Sequence, residues 1–231
     1  MTARPVGVVL LSVVAVIGAG CGRPREIERR PDAITDFATL YANNCAGCHG
    51  GDGRHGVAQT LNDATFLSLI GESRLREVIA RGVPATPMAP FGVDAGGSLT
   101  AEQIGAIAAG MTREWGSAPG QPDAALPAYS AEAALERGAV RGDVARGRSA
   151  FATFCARCHG DEGKGGLTAG SVVDEAFLSL TSDQALRTSV IVGRADDGTP
   201  GWRDYVPGRA MSDQEISDVV AWLASLRGHH E

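Results

Sequence analysis

The chain has 231 residues and a mass of 23.8 kDa, with 44% hydrophobic, 5% aromatic and 21% charged residues. That balance excludes a disordered chain and a multi-span membrane protein, and a net charge of −6 argues against a nucleic-acid partner. Two Gly-rich, aromatic-poor domains of about 90 residues would struggle to fill their cores unaided.

At the start of the chain, Arg4 is a positive flank, Val6 to Ile17 an apolar run, and Gly18-Ala19-Gly20 a small-residue stretch before Cys21. This reads as an export signal over residues 1–20, too short for a comfortable membrane span. The other four cysteines pair off, so Cys21 is the odd one in an exported chain, where a free thiol is a liability. The segment resembles a bacterial lipoprotein signal, with Gly18 where Leu is the rule. That resemblance implies a lipid anchor at Cys21; ordinary cleavage and an uncleaved anchor are the alternatives. Residues 21–31 then read as a solvated, Arg-rich tether.

The remainder is a tandem repeat. Tyr41-Ala-Asn-Asn-Cys45-Ala-Gly-Cys48-His49-Gly50 is matched by Phe151-Ala-Thr-Phe-Cys155-Ala-Arg-Cys158-His159-Gly160. The match continues through Phe66–Leu69 with Phe177–Leu180, Gly82 with Gly193, and Ile104 with Ile216. Two copies of one domain follow, at 32–118 and 141–231, joined by a linker over 119–140 with a short helical piece at Ala131–Arg137. Each copy reads as helix, long loop, short helix (Glu72–Arg81, Asp183–Val192), loop, closing helix. The closing helices open with capping boxes, Thr100 with Gln103 and Ser212 with Glu215. Their faces Ile104, Ile107, Ala108, Met111 and Ile216, Val219, Val220, Leu223 keep the spacing of one buried stripe. The predicted class is all-α.

Cys-x-x-Cys-His occurs twice. Two thiols at this spacing reach the two vinyl groups of one haem, and the adjacent imidazole reaches the iron. A redox dithiol would not require the His, and a zinc site needs a fourth ligand that neither copy supplies nearby. Two covalent haems, at Cys45/Cys48 and Cys155/Cys158, are the expectation.

On these motifs the chain resembles the class I cytochromes c in a tandem dihaem form. The resemblance implies two domains each wrapped around one covalent haem, with His49 and His159 as proximal ligands and Met as the usual distal ligand. The second copy keeps the family's first-helix Gly147-x-x-x-Phe151 and a closing-helix aromatic, Trp222. In the first copy Phe37 replaces that Gly and Gly110 replaces the Trp. We read this as a paired size swap at one helix crossing, in which Phe37 faces Gly110.

Met88, in a loop stiffened by three prolines, is the expected distal ligand of the first haem. In the second copy the comparable loop, Gly198-Thr-Pro-Gly-Trp202, sets Gly201 against Met88, which leaves Met211 as the candidate. An open iron is the alternative there. A filled coordination sphere suits one-electron transfer, so the expected function is that of a membrane-anchored dihaem electron carrier or complex subunit on the extracytoplasmic side, not an enzyme. Its expected partners are redox proteins with a positive docking face, or a larger membrane complex. The alternative is a peroxidase-like or gas-binding protein with an open second iron.

Overall fold

The computed structural model describes residues 30–84, 86–116, 126–194 and 197–228. The export signal, Cys21, most of the Gly/Pro/Ala linker stretch, Asp196, His229 and His230 lie outside the described residues.

In the first half, α1 (Phe37–Asn44) starts where the Asp36 carboxylate accepts from the Thr39 N–H at 2.8 Å, and it stops at Cys45. A single turn, α2 (Ala46–His49), follows directly. The third helix, α3 (Ala64–Arg81), is capped by Asp63 and broken at Gly71, whose φ of 68° an L side chain seldom adopts. The closing helix α4 (Ala101–Trp115) begins with the expected Thr100/Gln103 capping box. After a short linker helix, α5 (Ala131–Glu136), the second half repeats the plan. It comprises α6 (Val144–Phe154), α7 (Ala156–His159), α8 (Glu175–Leu180), α9 (Asp183–Val192) and α10 (Asp213–Ser225), the last with the Ser212/Glu215 box. Among the described residues there is no strand, only isolated bridges that pin loops, so the molecule is all-α.

One element differs from the sequence expectation. Each copy has an extra helical segment before the middle helix, the first part of α3 and α8. Phe66, Leu67 and Ile70 turn inward there, a run too short before Gly71 to reveal its period.

The cores follow from the amphipathic faces. Ile107 and Ala108 of α4 and Ile216 and Val219 of α10 are fully buried. Burying such an aliphatic side chain contributes about 1.5–3 kcal/mol. The expected size swap is present at the crossings. A Cβ on Gly110 would lie 2.3 Å from Phe37 Cγ, and one on Gly147 would lie 2.0 Å from the Asp218 carbonyl oxygen and 2.7 Å from Trp222 Cβ. Trp115 compensates in the first half for the aromatic missing at 110. Its ring sits edge-on to Phe37 at 5.3 Å and to Tyr41 at 5.0 Å.

Residues 31–231 form one compact unit, so the two halves are in contact. The end of the linker is fastened to the second half by Arg187, which is 2% exposed. Its guanidinium donates to the Ala128 carbonyl at 2.9 Å, to Ser217 Oγ at 3.0 Å and to Asp213 Oδ1 at 2.7 Å. Tyr129 packs against the first core while its carbonyl accepts from Gln184 Nε2 at 2.8 Å. Leu69 touches both cores, and Val192 of the second half is buried in the first.

Candidate haem sites

Each Cys-x-x-Cys-His lies on the tight junction of α1 with α2 or α6 with α7. Cys45 and Cys155 cap the longer helices, and the single turn that follows carries the second Cys and the His on one short span. All four thiols are unbridged. Burial pushes the Cys45 thiol up to about 11, with Cys48 adding to it, and the Cys155 thiol up to about 12, with Cys158 adding. A redox dithiol requires the opposite shift, toward an easily formed thiolate.

The imidazoles are held alike. His49 Nδ1 lies 2.7 Å from the Gln59 carbonyl oxygen, and His159 Nδ1 lies 2.8 Å from that of Gly170. A carbonyl only accepts, so each Nδ1 carries the proton and each Nε2 keeps its lone pair. Burial also lowers the His49 pKa, against the partial counter-effect of the Gln59 bond, and so favours the neutral ring. Two thiols and one oriented imidazole donor, repeated in both halves, fit a covalently attached haem at each turn.

The Gly-rich loops after the motifs have a local use for glycine. They fold back on the motif's own backbone. A Cβ on Gly56 would lie 2.3 Å from the Cys48 carbonyl oxygen, and one on Gly166 would lie 2.6 Å from that of Cys158.

Met88 sits half-buried on a closed turn. Val83 N–H donates to the Met88 carbonyl at 2.9 Å, Thr86 Oγ1 to the Val83 carbonyl at 2.8 Å, and Met88 N–H to Thr86 Oγ1 at 3.2 Å. The second half reproduces the outer bond in a different register from the one expected. Arg194 N–H donates to the Thr199 carbonyl at 2.9 Å, so Thr199, and not Gly201, occupies the place of Met88. The flanking donors agree, while the acceptor in the second half is one residue nearer its helix end. Phe91 N–H donates to the Ile79 carbonyl and Trp202 N–H to that of Ile191, both at 3.1 Å. Met211 corresponds to Leu99, as expected: their N–H groups donate to the Trp202 and Phe91 carbonyls at 2.9 and 2.8 Å. Met211 is 1% exposed and belongs to the second core. Met111 is likewise buried core packing. His55 is exposed, 3.7 Å from Asp52.

Two residues near the sites escaped sequence reasoning. Trp115 descends onto the first post-motif loop, where a Cβ on Gly53 would meet its ring at 3.0 Å. Tyr205 donates to the Val190 carbonyl at 3.0 Å, and burial raises its pKa, with Cys155 and Cys158 close enough to add to the shift. Its one available signal was that it is the single tyrosine of the second copy.

Residues 144–227 match the family "Cytochrome c", and residues 32–109 match "Cytochrome C oxidase, cbb3-type, subunit III". Over 224 residues the chain is 24% identical to the cbb3-type cytochrome c oxidase subunit CcoP of Azospirillum sp. (strain B510), covering 88% of this chain and 67% of that one. Over 218 residues it is 26% identical to the subunit FixP of Azorhizobium caulinodans, covering 88% and 64%. The FixP subunit of Rhizobium meliloti is 28% identical over 210 residues, covering 85% and 61%. The chain thus spans about two thirds of the length of these relatives.

Proposed function

Since the chain is a tandem dihaem cytochrome c, with one covalent haem c in each half, we propose that it transfers single electrons as an exported, membrane-anchored subunit of a respiratory electron-transport complex. The observation that carries this reading is the pair of Cys-x-x-Cys-His turns, each with its imidazole locked by a backbone carbonyl. The relatives named as cbb3 oxidase subunits support a place in a complex of that kind.

The bound haem supplies an iron that changes oxidation state by one electron. The chain's residues supply the rest. Cys45, Cys48, Cys155 and Cys158 hold the two haems, and His49 and His159 are the proximal ligands. The Gln59 and Gly170 carbonyls fix each ring and strengthen Nε2 as a donor. Met88, presented by its hydrogen-bonded turn, is the distal ligand of the first haem. Met211 is that of the second, supplied from the segment before α10. Domain bounds of 32–118 and 141–231 fit these assignments, with Cys21 as lipid anchor on the extracytoplasmic side and the tether at 21–31. No described helix is long and apolar enough to cross a membrane. A partner with a positive face complements the net charge of −6.

Potentiometric titration of the purified holoprotein tests the reading, with two one-electron transitions expected. A chain with fewer than two haems would overturn it. A Cys21→Ser variant should leave the membrane fraction, and continued membrane retention would reject the lipid anchor.

Thr199 in the place of Met88 favours a second reading for the second iron alone: an open distal side that binds a diatomic gas or peroxide. Carbon monoxide difference spectra separate the two. Prompt uptake of one equivalent per chain supports the open iron. No uptake, together with a Met211→Ala variant whose second haem changes spectrum, supports Met211 as ligand.

A further inference from the structure

The two proximal loops, so alike within each half, differ in what lies outside them. The second loop is on the surface, where Gly166, Leu167, Thr168 and Gly170 are exposed and a Cβ on Gly170 would meet open space. The first loop is gripped by the other half of the molecule. Gln59, whose carbonyl accepts from His49 Nδ1 at 2.7 Å, presents its Oε1 to Ser189 Oγ of α9 at 3.5 Å. Three residues earlier, the Gly56 carbonyl lies 3.4 Å from Arg194 Nη2. Each contact is long and weak singly. They act at one place, however, because Val192 is buried in the first core and Leu69 packs on both, which holds α3 against α9.

Arg194 is also tied on its own side. Its N–H and carbonyl exchange hydrogen bonds of 2.9 Å with Thr199, the residue standing where the first half has Met88. Its guanidinium lies 2.8 Å from Asp197. One residue therefore connects the distal-side loop of the second half to the proximal-ligand loop of the first.

Resting on the proximal role of His49 given above, we propose that Gln59, Ser189 and Arg194 are positioning residues through which the second half sets the orientation of His49. The potential of the first haem then depends on this junction, and that of the second haem does not. The coupling runs one way in structure: the second half grips the first loop, and nothing described grips the second.

The test uses the full-length holoprotein. A Cys45→Ala/Cys48→Ala variant assigns the spectral and electron paramagnetic resonance signals of the first haem by their loss. If that variant still holds two haems, the underlying reading fails. In Arg194→Ala, Ser189→Ala and Gln59→Ala the proposal expects the ferric resonance of the first haem to shift and its potential to change, with the second haem unmoved. For Arg194→Ala the shift is to lower potential, because a cation near the first site is lost, and the ratio of reduced to oxidised first haem at fixed poise should fall at least threefold. Arg194→Lys should restore part of it. First-haem signals unmoved in all three variants would overturn the proposal while leaving the dihaem reading intact. Equal movement of both haems would also overturn it, since that marks general loosening.

Discussion

Glycine at two positions shows how much one missing methyl decides. The Cβ of Gly110→Ala would meet the root of the Phe37 side chain, 2.3 Å from its Cγ and 2.7 Å from its Cβ, and the Cβ of Gly147→Ala would lie 2.0 Å from the Asp218 carbonyl oxygen, so neither clash is relieved without a helix shift. Alanine regains up to about 1 kcal/mol of helix propensity at either site, and overpacking costs about 1–3 kcal/mol. Both substitutions should therefore destabilise the protein in chemical denaturation, by up to about 2 kcal/mol after the propensity gain. A neutral or stabilising effect at either site would refute the crossing geometry. Asp218 itself offers a pH test. Its carboxylate accepts from Arg146 Nε and Nη2 and from the Asp143 N–H, all at 2.8 Å, and from Gln214 Nε2 at 3.0 Å. Burial alone would raise its pKa, but these bonds overcome that and hold it low. A carboxyl depressed in the folded state contributes stability above its unfolded value of about 3.9, which is lost as pH falls through the folded value. Asp218→Asn should cost about 1–3 kcal/mol at neutral pH, with the gap to the parent narrowing below about pH 4. A gap that stays constant into acid would assign the loss to packing.

At the scale of elements, Arg187 ties the linker end to α10. Arg187 serves three acceptors on two different segments, which a point-charge lysine cannot do. Arg187→Lys should loosen residues 126–130, seen as faster amide exchange there, while α10 stays protected. Exchange at Ala128 equal to the parent would show that the staple is not needed. This network was invisible in the sequence because its members are 59, 26 and 30 residues apart in the chain. What was legible was local. Capping boxes, the stripes of α4 and α10 and the Cys-x-x-Cys-His turns each lie within a few residues, and each was found where expected. The size swap at Phe37 and Gly110 was also legible, since the repeat supplied its own comparison. The place of Thr199 was not, because identical Thr-Pro pairs invited alignment by letters. The register is set instead by the hydrogen bonds between Arg194 and Thr199, which have no letter signature.

For the whole molecule, the junction at Leu69 and Val192 joins the two halves in one compact unit. Calorimetry of the holoprotein should show one cooperative transition, and Val192→Asp, which places a charge in the first core, should split it in two. Two separate transitions in the parent would deny the junction. The unlike helix crossings add a consequence for assembly. Neighbouring copies of one domain on a single chain are prone to exchange helices while folding. Here α1 laid on α10 would drive Phe37 into Trp222, two rings in space made for one. Conversely, α6 laid on α4 would set Gly147 against Gly110 and leave a hollow. Each opening helix is thus keyed to its own closing helix, and the chain sorts its two halves by shape before either has a cofactor to wrap.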